Sequence, residues 1–119
     1  MFVSKYPDWT AEIIFKDGSY VVFDGAKDLF KYYLNLKKYN PAQKVGNIDS
    51  VYVKDYYNLT FFDGSKGFYV TGSDVYGPMG HELIPFSRME DAQEFMKDHN
   101  GKTILRFEEI HQSTIQGLD

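Results

Sequence analysis

The apolar residues of Ala11 to Phe15 and of Tyr20 to Phe23 flank Lys16-Asp17-Gly18-Ser19. Asp-Gly readily supplies the positive φ of a tight turn, so a β-hairpin is predicted here. Asp24 is placed to accept from the free amides of a following helix, in which Leu29, Phe30, Tyr33 and Leu34 recur at helical spacing. That helix should stop before Asn40-Pro41, because a residue preceding proline avoids the helical region. Val51 and Val53 alternate with polar neighbours across Ile48 to Tyr56, as in a half-buried strand. Another strand is predicted at Gly67 to Val70 after the turn-forming Asp63-Gly64, followed by a loop from Gly72 to Gly80. His81 to Phe86 reads as extended, with Pro85 favouring a sheet edge or a strand end. Ser87-Arg88-Met89-Glu90 has the form of a capping box, and Met89, Ala92, Phe95 and Met96 make the apolar face of the helix behind it. Asn100-Gly101 is a left-handed stop, Lys102 to Ile110 reads as a strand, and the tail from Gln112 reads as frayed.

The two halves follow the same order. Phe23-Asp24-Gly25-Ala26-Lys27-Asp28 stands to its helix as Phe86-Ser87-Arg88-Met89-Glu90-Asp91 does to the second, and Tyr32 matches Phe95. Val51 to Asp55 likewise corresponds to Leu105 to Glu109. The expected fold is α+β, with tandem duplicated ββαβ units over residues 1–58 and 59–119.

Composition narrows the chemistry. At 119 residues, with 43% hydrophobic and 18% aromatic content, the chain can bury a core. Thirteen basic residues, scattered among seventeen acidic ones, leave a net charge of −4 and no concentrated positive surface for nucleic acid. No apolar run approaches a membrane span and no signal peptide is apparent, so the chain as given is expected to be soluble. The absence of cysteine removes disulfides, zinc-thiolate sites and cysteine nucleophiles. Four Met and three His remain as soft or borderline metal ligands.

Val75-Tyr76-Gly77-Pro78-Met79-Gly80-His81 places a thioether and an imidazole two residues apart. In an extended backbone both would face one side and could reach one ion, and this pair suits Cu(I), which tolerates sulfur and needs few ligands. Composition alone would produce such a Met-x-His pair in about one sequence in ten, so the spacing by itself leaves an ordinary loop Met and a solvated His as the commoner outcome. Gly72 to Gly77 has the glycine spacing of a phosphate loop, but Pro78 stands where the lysine belongs. Glu108, Glu109 and His111 read as a solvated strand end, and His99 as a partly cationic residue at a helix carbonyl end. No nucleophile elbow or other assembled catalytic set appears, and an enzyme is not expected.

With these residues in view, the sequence resembles the NosL family, copper-chaperone lipoproteins accessory to nitrous oxide reductase. The resemblance runs through Val3-Ser4-Lys5-Tyr6-Pro7 and Trp9, Phe15-Lys16-Asp17-Gly18, Phe23-Asp24-Gly25, and Lys27-Asp28-Leu29-Phe30-Lys31-Tyr32-Tyr33. Its specific part is Gly77-Pro78-Met79-Gly80-His81-Glu82-Leu83-Ile84-Pro85-Phe86, and Asp91-Ala92 with Phe95 completes it. It implies a periplasmic, lipid-anchored protein of two ββαβ units, similar in fold to the non-catalytic part of organomercurial lyase. It also implies one Cu(I), held by Met79 and His81, and a copper-receiving apo-protein as partner, with nitrous oxide reductase the candidate.

One departure bears on the ligand set. Family members carry a lipid-modified cysteine and a Cys-Gly-Met segment ahead of the Lys-Tyr-Pro stretch, whereas this sequence opens at Met1-Phe2-Val3. Either Met1 is the methionine of that segment, with the anchor and a thiolate ligand missing, or Met1 is a native start and the two-ligand site is open to a partner. The alternative function is a non-catalytic interaction domain of a respiratory assembly, in which the Met-x-His pair has no metal role.

Overall fold

The computed structural model describes residues 7–77 and 80–118. The Val3 to Tyr6 stretch and Met1 lie outside the described residues. The first hairpin forms where the apolar pattern places it. β1 (Ala11–Phe15) turns every second side chain inward, and β2 (Tyr20–Phe23) returns antiparallel to it. Gly18 takes φ 90° in the turn, and Asp17 accepts from the Ser19 amide at 2.9 Å.

The first helix differs from the expectation in two respects. α1 (Ala26–Leu34) is preceded by Gly25 as its N-cap, so the cap position falls one residue after Asp24, on a residue with no side chain to cap with. The chain then breaks at Asn35, whose side-chain amide donates to the Lys31 carbonyl at 2.9 Å, before α2 (Leu36–Tyr39) continues to Asn40. A local side-chain bond of this kind competes with the helical ladder.

β3 (Ile48–Lys54) runs antiparallel to β1 and ends before Asp55, not at Tyr56, because Asp55 turns its carboxylate into hydrogen bonds of its own. β4 (Phe61–Asp63) pairs with β3 and was not foreseen, its three residues being too few to show a period. The resulting sheet has the order β2-β1-β3-β4.

The second sheet is built from β5 (Phe68–Thr71), β8 (Ile84–Phe86) and β9 (Thr103–Arg106) in the order β8-β5-β9. Pro85 thus sits on an edge strand, where its missing amide costs no ladder bond. Between β5 and β8, within the segment expected to be loop, β6 (Tyr76–Gly77) and β7 (Gly80–His81) pair as a separate small hairpin. α3 (Met89–Asp98) joins β8 to β9, and Asn100 stops it at φ 57° as expected. The capping box does not form: Glu90 is bonded by the Arg88 guanidinium, and Ser87 donates to Asp55 instead.

The strand expected over Lys102 to Ile110 stops at Arg106. Glu109 accepts from the Arg106 amide at 2.8 Å and draws Phe107–Glu109 into a 3₁₀ turn that carries Phe107 against Phe30 and Tyr33. The tail is a helix, α4 (Gln112–Leu118), because Ile115 and Leu118 fall three apart on one face and are buried. Among the described residues no helix is long and apolar enough to cross a membrane.

β1 lies between β2 and β3, and β5 between β8 and β9; each comes before its two neighbours in sequence, and a helix separates those neighbours. α1 begins three residues after Phe23, and α3 three after Phe86. The larger core joins Ile13, Phe15, Leu29, Phe30 and Val53 to Tyr69, Leu83, Ile110 and Ile115 from the second half. The smaller one gathers Val70, Ile84, Phe86, Ala92 and Phe95 beneath α3.

Candidate functional site

The β6–β7 hairpin rises from a loop that is fastened at its base. Gly72 turns the chain at φ 72°, and the Lys102 amide donates to the Thr71 carbonyl at 2.8 Å. The Asp74 amide donates to the His99 carbonyl at 2.9 Å, and the His99 ring nitrogen Nδ1 likewise lies 2.9 Å from Asp74 Oδ1. That ring also packs over Phe95, with 4.6 Å between centroids. His99 is therefore an anchor of the loop at the end of α3.

In the hairpin Tyr76 pairs with His81 and Gly77 with Gly80. Both rings of the first pair are exposed, Tyr76 at 62%, and they meet edge to face with centroids 4.7 Å apart and planes at 88°. Such a contact restrains the imidazole while leaving its edge accessible. Gly80 takes φ 94°, a left-handed value that glycine adopts without strain. The chain through residue 80 is therefore turned, and the direction of His81 is set by the hairpin and not by strand alternation. Met79 lies outside the described residues, as does Pro78.

Glu82, the next residue, points the other way and is 3% exposed. Its Oε1 accepts from the Lys27 amide at 2.5 Å and from the Leu83 amide at 3.0 Å. Lys27 is the second residue of α1, so a carboxylate 55 positions away does what an N-cap side chain would do at Gly25. Burial pushes the Glu82 carboxyl up to about 7, with the two amides pulling the other way. Its Oε2 is buried with no hydrogen-bond partner among the described residues.

The other candidates are dispersed. Glu109 is engaged with the Arg106 amide, and the His111 amide donates to the Thr114 hydroxyl at 3.2 Å. Among the described residues no three His, Asp or Glu side chains form a cluster that could hold a metal. Sequence reasoning missed Glu82 and Tyr76. The signal for Glu82 was a charge immediately ahead of the apolar Leu83-Ile84-Pro85-Phe86 run; that for Tyr76 was the near-palindromic Tyr76-Gly77 and Gly80-His81 around two residues.

The NosL family model matches residues 1–115. A copper-binding lipoprotein NosL from Stutzerimonas stutzeri is 39% identical over 54 residues, an alignment covering 45% of this chain and 28% of that relative's length. The crystal structure of the copper chaperone NosL from Shewanella denitrificans superposes with a TM-score of 0.73 at 27% identity, covering 87% of this chain and 79% of the other. The solution structure of apo-NosL from Achromobacter cycloclastes gives a TM-score of 0.60 at 25% identity, covering 88% and 87%.

Proposed function

The chain belongs to the NosL family, and on that premise we propose that it is a copper carrier, binding one Cu(I) through Met79 and His81 and passing it to a copper-receiving apo-protein. The observation that carries the reading is the exposed His81 imidazole, steadied by Tyr76 on a glycine-flanked hairpin whose sequence includes Met79. Thioether and imidazole together match the softness of Cu(I). The solved relative from Shewanella denitrificans is described as a copper chaperone, which favours carriage over catalysis.

Two protein ligands leave the ion accessible, and a partner that adds its own ligand can draw the ion across by exchange without releasing it to solvent. Nitrous oxide reductase is the recipient suggested by the resemblance, and the lipoprotein relative supports an extracytoplasmic, lipid-anchored setting. The two ββαβ units, 1–58 and 59–119, divide the work: the second carries the hairpin, and the first supplies the helix on which its base rests.

Transfer is the test. Cu(I)-loaded chain mixed anaerobically with an apo copper site should load that site faster than copper released through a competing chelator does. Loading that proceeds only at the chelator-limited rate contradicts the chaperone reading.

A further inference from the structure

Two glycines on different elements face the same side chain. A Cβ at Gly25 would overlap Glu82 Oε2 and lie 3.1 Å from its Cδ, and a Cβ at Gly77 would lie 3.2 Å from both Cγ and Oε2. Gly25 heads α1, and Gly77 is the β6 partner of Gly80. The Glu82 side chain therefore occupies the seam between helix and hairpin, in space that only glycines leave open. Its Oε1 closes the seam through the Lys27 and Leu83 amides.

We propose that Glu82 is the positioning residue of the copper-binding hairpin, its side chain pinning the root of β7 to the first turn of α1 so that the adjacent His81 is presented beside Tyr76. This rests on the copper reading for its functional meaning and on geometry alone for its structural part. One peptide separates Glu82 from His81, so fixing the buried carboxylate fixes the backbone from which the imidazole projects. Outer-shell groups that hold a ligand in place typically change metal affinity by about 10- to 100-fold when removed. Charge is not what the role requires: a glutamine carbonyl oxygen can accept from the same two amides.

The test uses three substitutions and two readouts. Glu82→Ala removes the clamp, Gly25→Ala expels it from the helix side without altering the hairpin sequence, and Glu82→Gln retains the acceptor. Cu(I) affinity by anaerobic competition should fall roughly tenfold or more in the two alanine variants and be restored to within about threefold in Glu82→Gln. In the copper-free protein, the His81 ring-proton resonances should lose the ring-current shift imposed by Tyr76 in the alanine variants and keep it in Glu82→Gln. Should Glu82→Ala fail to fold, Gly25→Ala carries the same test. Unchanged affinity and unchanged His81 resonances in Gly25→Ala overturn the proposal, as does a loss in Glu82→Gln equal to that in Glu82→Ala. If wild-type protein binds no Cu(I), the copper reading fails, while the resonance test still decides whether Glu82 positions His81.

Discussion

Replacing Asp55 with alanine is expected to lower the stability of the fold by about 3 kcal/mol, the upper end of the cost of leaving buried hydrogen-bonding groups unsatisfied. Asp55 is fully buried. Its Oδ1 accepts from the Tyr57 and Asn58 amides at 2.9 and 3.2 Å, turning the chain after β3. Its Oδ2 accepts from the amide and hydroxyl of Ser87 at 2.8 and 2.7 Å, just ahead of α3. One carboxylate of the first half thus fastens the start of the second helix, the mirror of Glu82 at the start of the first. Alanine leaves four donors without their acceptor; asparagine keeps one oxygen on part of them and should cost about half as much.

The effect has a pH signature. Burial raises the Asp55 carboxyl, but the hydrogen bonds from Ser87, Asn58 and Tyr57 outweigh it and hold the group below its ordinary 3.8. A depressed folded value means stability that is fully present above the unfolded value and is lost as pH falls through the folded one. Urea unfolding at pH 7 should therefore separate wild type from Asp55→Ala more widely than unfolding near pH 2. A pH 7 difference below about 1 kcal/mol would show that the network is not holding the halves together.

Phe95→Ala is expected to cost about 4 kcal/mol by emptying the centre of the smaller core. The ring is fully buried, with Tyr56 and Phe86 centroids each 5.1 Å away, Tyr57 at 6.4 Å and His99 at 4.6 Å. It is also the surface on which His99 rests while bonding Asp74, so the loss should loosen the base of the β6–β7 hairpin. Phe95→Leu, which refills most of the volume, should cost about 1.5 kcal/mol. Denaturant unfolding checks both, and equal costs for the two would contradict a cavity origin.

Legibility in the sequence followed the range of the interactions. The first hairpin, the two amphipathic helices and the Asn100 stop depend on neighbours within a few residues, and each was visible as a period or a turn residue. The caps were misread because their partners are distant: Glu82 reaches α1 across 55 positions and Asp55 reaches Ser87 across 32, so the residues next to each helix start gave no sign of them. β4 and β6–β7 are too short for a pattern, and α4 shows its two buried residues only once α1 is there to cover them. At the site, Met79 and His81 stood out by chemistry, whereas Tyr76 acquires meaning from the hairpin pairing and Glu82 from its bond to the start of α1.

The most direct measurement is an anaerobic Cu(I) titration against a colorimetric competitor, run on the wild-type chain and on Met79→Ala/His81→Ala with far-UV circular dichroism recorded on both. One-to-one binding by the wild type, lost by at least about 100-fold in a variant whose spectrum is unchanged, is the predicted result for removal of both ligands. Equal uptake by the two proteins, or none by either, would contradict the assignment of copper to this hairpin and leave the interaction-domain alternative in its place.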